Sequence, residues 1–135
     1  MTDDAFVGAV EEAAEGRPRP GFRFGHREHL RLAWLNLERL GPEFGSERTV
    51  EQLRRLDAVH GGGHYHETIT RFHLGLVAHA QARFSGRSFD EVAAEHPRLL
   101  DGGLLRRHYS RGLVAAPASR LEHIPPDLEP VPWQA

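Results

Sequence analysis

Residues 26 to 40, HREHLRLAWLNLERL, place Leu30, Ala33, Trp34, Leu37 and Leu40 on one arc, with Arg27, Glu28, Arg31, Glu38 and Arg39 opposite. Apolar residues three and four apart suit a helix and no strand, because a strand returns to the same face every second residue. The spacing predicts a helix over 26–40, and similar stripes recur along the chain. Phe6, Val7, Val10 and Ala14 predict a first helix, capped by Thr2 or Asp3 and running to about Ala14. GRPRPGFRFG then breaks it.

GPEFGSERT reads as a turn, with Thr49 and Gln52 as a capping box for a third helix through Val59 that shows Val50, Leu53 and Leu56 inward. Gly61, Gly62 and Gly63 end that helix. A long helix is expected from about Tyr65 to Arg83, then a short one capped by Ser88 and Glu91 and stopped near His96-Pro97. PRLLDGGLLRRHYSRGL predicts a turn and one more short helix, and PPDLEPVPWQA is too proline-rich to be regular. Period-2 alternation of strand length is missing throughout. The expectation is an all-α, single-domain antiparallel helical bundle. It would comprise an N-terminal helix and linker over 1–21, a core bundle over 22–112 and a wrapped proline-rich tail over 113–135.

A chain of 135 residues is long enough to bury a core without staples. With no cysteine, thiolate ligands, disulfides and cysteine nucleophiles are excluded, leaving imidazole and carboxylate as metal ligands. The formal charge of -2, with both signs interspersed, argues against a nucleic-acid or anionic-membrane partner. No stretch approaches 18 apolar residues and the N-terminus lacks the basic start of a secretory signal, so a cytoplasmic protein is expected.

The histidines carry the chemistry. Projected at about 100° per residue, His26 falls within the apolar arc of its helix and His29 at its edge. His60 shares a face with Asp57, three positions earlier, and His66 shares one with Ile69. Antiparallel packing of consecutive helices brings His26, His29, Asp57, His60, His66 and Glu67 to one end of the bundle. Buried imidazoles left unpaired cost roughly 1–3 kcal/mol each, and a divalent transition metal would compensate. Zinc, iron, copper, nickel or manganese all accept such ligands. The ligand set expected is His29, His60 and His66, with His26 or Glu67 as fourth ligand or supporting partner. Glu67 or Tyr65 would move protons at an open coordination position. His73, alone further along its helix, reads as a satisfied core residue, and His64 as incidental. Asp57 is expected to orient His60. Three glycines in a row could cradle a phosphate, but no Lys-Ser/Thr follows and no strand precedes, so a hinge is expected.

FGHREHLRLAW and YHETIT, with SFDEVAAEHPRLLD, HYS and PPDLEPVP, resemble motifs of a family of small uncharacterised bacterial all-α proteins. The likeness extends over most of the chain beyond residue 22. It implies that His26, His29, Tyr65, His66, Glu67 and Thr68 work as one set, and it implies no activity. Together the residues point to a histidine-rich metal-binding protein, an enzyme of hydrolytic or oxidative type acting on a small molecule. The alternatives are a non-enzymatic metal or small-ligand carrier or sensor, and a helical interaction protein, such as a homodimer, whose histidines only hydrogen-bond.

Overall fold

The computed structural model describes residues 1 to 133, and among them only helices and their connections occur, as the apolar spacing requires. The chain divides into two compact units, Met1–Tyr65 and His66–Ala135.

In the first unit α1 spans Asp3–Ala14, and the Thr2 hydroxyl accepts the Ala5 N–H at 3.1 Å, satisfying one of the donors a helix start leaves open. The second helix, α2, spans His26–Leu40, and Gly25 precedes it with its N–H donated to the Glu28 carboxylate. The third, α3, spans Pro42–Val59. It begins eight residues before the start predicted from Thr49 and Gln52 as a capping box. The cause is Gly41: at φ +85° this single residue reverses the chain, and Pro42, with φ already set and no N–H to lose, opens the next helix.

Thr49 and Gln52 therefore lie inside α3, and both are buried. Their polar groups are used across the hairpin. Asn36 Nδ2 donates to Thr49 Oγ1 at 2.9 Å and to Gln52 Oε1 at 2.8 Å, and Gln52 Nε2 donates on to Glu11 of α1 at 2.6 Å. One buried chain of hydrogen bonds thus registers three helices, and each member is satisfied by the others. Around it lies an apolar core of Phe6, Val10, Ala13, Leu32, Leu35 and Leu56, with Phe22 and Phe24 packed against it. Full burial of side chains such as Phe6 or Leu32 contributes about 1.5–3 kcal/mol each. Arginines on α2 and α3 meet the acidic face of α1, in the pairs Asp3–Arg31, Asp4–Arg39 and Glu11–Arg48.

In the second unit α4 spans Glu67–Arg83, two residues later than the predicted start. The fifth helix, α5, spans Phe89–Glu95 and carries the Ser88/Glu91 capping box that its sequence predicts. A 3-10 turn over Pro97–Leu100 follows, then α6 (Leu105–His108), α7 (Arg111–Ala115) and α8 (Pro117–Leu121). Where PRLLDGGLLRRHYSRGL was expected to hold one short helix, α6 and α7 are parted by the extended backbone of Tyr109, and α8, set off by extended Ala116, lies within the stretch expected to be a wrapped tail. Phe72, Tyr109 and Val131 form the core, with Leu76, Leu105, Leu113 and Trp133 against them.

Over residues 122 to 133 the chain has no regular structure but is well tied down. Leu128 N–H donates to His108 C=O at 3.0 Å, His108 Nδ1 donates to Glu129 C=O at 2.8 Å, and Asp127 accepts from both the N–H and the hydroxyl of Ser110. Trp133 rests on Phe72 at 5.3 Å between ring centres, on a stretch of α4 opened by Gly75, where a Cβ would stand 2.2 Å from the indole nitrogen.

Candidate functional site

The histidines expected to share a metal are distributed over both units: His26, His29 and His60 in the first, His66 in the second. Among the described residues no three histidine, aspartate or glutamate side chains gather into a group that could hold a metal ion.

The imidazoles of His29, His60 and His73 each hold a local hydrogen bond. His29 Nδ1 donates to the Gly25 carbonyl at 2.7 Å, and the ring lies 4.4 Å from that of Phe24. Although much of its surface reaches solvent, the loss of water around the ring lowers its pKa, and neighbouring His26 pushes the same way, against the Gly25 hydrogen bond. His60 closes α3, its Nδ1 donating to Leu56 C=O at 2.7 Å. Asp57 does not orient His60. Its carboxylate instead accepts the backbone N–H groups of His64 and Tyr65, closing the loop of Gly61, Gly62 and Gly63, all three at positive φ. Burial alone would raise the Asp57 pKa, but these hydrogen bonds and the His64 imidazole bring it below the usual carboxylate value. Tyr65 lies under the Arg54 guanidinium, 5.0 Å from ring centre to carbon. His73 Nδ1 donates to Ile69 C=O at 3.0 Å.

His66 departs most from its sequence-based reading. It is the residue before α4, with φ -134° and ψ 111°, so a helical projection does not describe where its side chain goes. Its Nδ1 accepts the Ile69 N–H at 3.2 Å, which requires that nitrogen to be unprotonated. The proton then sits on Nε2, which donates to Val114 C=O at 2.9 Å. Both nitrogens are engaged, and metal ligation would sacrifice one of the two bonds. The same tautomer decides the role of Ser119, whose hydroxyl lies 3.3 Å from Nε2. A protonated Nε2 cannot take the serine proton, and that hydroxyl donates to Ala116 and Val114 carbonyls instead. The contact is structural and not a nucleophile with its base.

The next two residues of YHETIT build something different. Thr68, fully buried, donates its hydroxyl to Glu122 C=O at 2.7 Å and accepts the Ile124 N–H at 3.0 Å. His123 lies between those two residues. Glu67, one position before Thr68, pairs with Arg71 at 3.0 Å, and the two side chains are only 13% and 24% exposed. His123 feels both of them: desolvation lowers its pKa, Arg71 lowers it further, and Glu67 opposes. A carboxylate and a guanidinium thus pair at the start of α4, and the His123 imidazole, carried by the irregular segment, feels both.

Protein-family models, curated proteins and solved structures were all compared with this chain, and none matches. The site must be read from its own chemistry. Glu67 was legible in the sequence, whereas Arg71 and His123 were not. The i, i+4 spacing of Glu67 and Arg71 is a signal that could have found the pair. His123, more than fifty residues away and in an irregular segment, carries no such signal.

Proposed function

We propose that the second unit carries an acid–base site for hydrolysis of a small polar molecule, formed by Glu67, Arg71 and His123. The observation that carries this reading is the largely buried Glu67–Arg71 pair, whose charges act on an imidazole with a pKa lowered by desolvation and by Arg71. A neutral imidazole is the form that accepts a proton, and a side chain with a shifted pKa next to a partly desolvated ion pair is the arrangement expected of an acid–base centre. His123 would take the proton from an attacking water. Arg71 would stabilise the oxyanion that develops on the substrate, and Glu67 holds the guanidinium in place. This chain has neither cysteine nor lysine, so imidazole and carboxylate are the groups suited to exchange protons near neutral pH.

The test is a thermal-shift screen of small esters, amides and carboxylates against the native chain, Glu67→Gln and His123→Ala. Ligands that stabilise the native chain should lose their effect in both variants, and any ester or amide turned over should no longer be. Equal stabilisation of all three proteins would sink the reading.

A second reading, metal binding through histidines of the first unit, is favoured by one feature. His29 and His60 each donate Nδ1–H to the carbonyl four residues earlier, which leaves Nε2 with its lone pair, the form that ligates a transition metal. Elemental analysis of purified protein, repeated on His29→Ala and His60→Ala, tests it: metal below stoichiometric amounts in the native chain removes it.

A further inference from the structure

We propose that Thr68 and Tyr109 act together as positioning residues that hold the backbone on both sides of His123 and so present its imidazole to Glu67 and Arg71. The inference rests on the acid–base reading of that site and names what aligns it.

Three hydrogen bonds carry it. The Thr68 hydroxyl donates to Glu122 C=O and accepts Ile124 N–H, so a single buried oxygen grips the residues before and after His123. The Tyr109 hydroxyl donates to Ile124 C=O at 2.7 Å. The carbonyls of Glu122 and Ile124 and the Ile124 N–H thus end on two side chains that are buried in the unit's interior, at 0% and 2% exposure. Tyr109 is itself wedged edge-on against Phe72, with ring centres 6.1 Å apart, and Phe72 lies on α4 with Glu67, Thr68 and Arg71.

An irregular, proline-flanked segment would otherwise sample many backbone states, and a side chain on it would be placed by none of them. Gripping the peptide at 122 and 124 removes that freedom without touching the imidazole. His123 remains exposed and available to a ligand while its Cα is fixed. Support of this kind, in which the reacting group is free and its neighbours are tied to a rigid helix, is what holds a catalytic constellation within its working geometry. Tyr109 and Thr68 touch no substrate in this scheme, and they act through His123.

The charged groups acting on His123 are Arg71 and Glu67, both on α4, so its titration reports whether it stays beside them. The experiment is an NMR titration of the histidine ring protons, with His123 assigned by its loss in His123→Ala, in the native chain, Tyr109→Phe, Thr68→Val and Thr68→Ser. In the native chain the midpoint should lie below the ordinary histidine value of about 6.5. In Tyr109→Phe and Thr68→Val it should rise toward that value as the imidazole leaves Arg71 and gains water. Thr68→Ser keeps the hydroxyl and should keep the native midpoint.

An unchanged His123 midpoint in folded Tyr109→Phe or Thr68→Val overturns the proposal. So does a Thr68→Ser shift as large as that of Thr68→Val, because the methyl and not the hydroxyl would then be responsible. Should a variant fail to fold, hydrogen exchange on the native chain decides: the Ile124 amide should be among the slowest beyond residue 121, and fast exchange there rules the clamp out. None of these readouts needs a ligand or turnover, so the clamp can fail while the acid–base reading stands, and the reverse.

Discussion

Gly45 lies so close to Asn36 that a Cβ on the glycine would come within 2.5 Å of the Asn36 carbonyl oxygen. The opposing atoms belong to α2 backbone and cannot swing aside, so the α2–α3 hairpin depends on the missing side chain. Gly45→Ala should force the helices apart and lower stability by about 1–3 kcal/mol, although alanine is the better helix former. Urea denaturation checks this, and a variant as stable as the parent would show that the helices can separate at no cost.

Asn36 also organises the polar chain between the helices. Asn36→Ala removes two hydrogen bonds and leaves the buried Thr49 and Gln52 oxygens with one partner fewer. A loss of roughly 2–4 kcal/mol is expected from the unmet groups and the cavity together. Asn36→Leu fills the space but leaves the same polar groups unmet, so it should recover only part of the loss. Full recovery in Asn36→Leu would mean that packing, not polar satisfaction, sets the cost.

His66 caps α4 and ties it to Val114. Substitution by Asn, whose shorter side chain retains the cap but cannot reach Val114, separates the two roles. His66→Ala should lose about 1–2 kcal/mol more than His66→Asn if capping is the larger part. Equal stabilities for the two variants would assign the whole effect to the Val114 bond.

Acid should weaken the fold before any carboxylate titrates. His29 and His123 have folded-state pKa values below the ordinary one, so the unfolded chain binds protons first. Their contribution is fully present above about pH 6.5 and is lost as pH falls through their folded values. Asp57, depressed in its turn, contributes until pH drops below the usual carboxylate range. Melting temperatures should therefore decline from about pH 7 to about pH 5, and decline less in His29→Gln and His123→Gln. A flat profile across that interval would contradict the shifts.

Helix identity was legible where it depends on local spacing. The bounds of α1 and α2 follow from their stripes and caps, and the Ser88/Glu91 box from its four residues. Thr49 and Gln52 show the limit of such reading. The same residue types serve as a helix start or as buried donors and acceptors, and Asn36, on another helix, selects the second role. His66 shows a second limit: a two-residue shift in the start of α4 turned an expected inward ligand into a cap.

The sequence by itself determined an all-helical chain and the position of its main helices, because each depends on contacts within a few residues. Only the tertiary structure decided what the HET triplet touches. His66, Thr68 and Glu67 meet Val114, Ile124 and His123 across roughly fifty residues of chain. Such meetings depend on how an irregular segment returns to α4, and that path is set by packing on Phe72 and Tyr109, not by any local pattern.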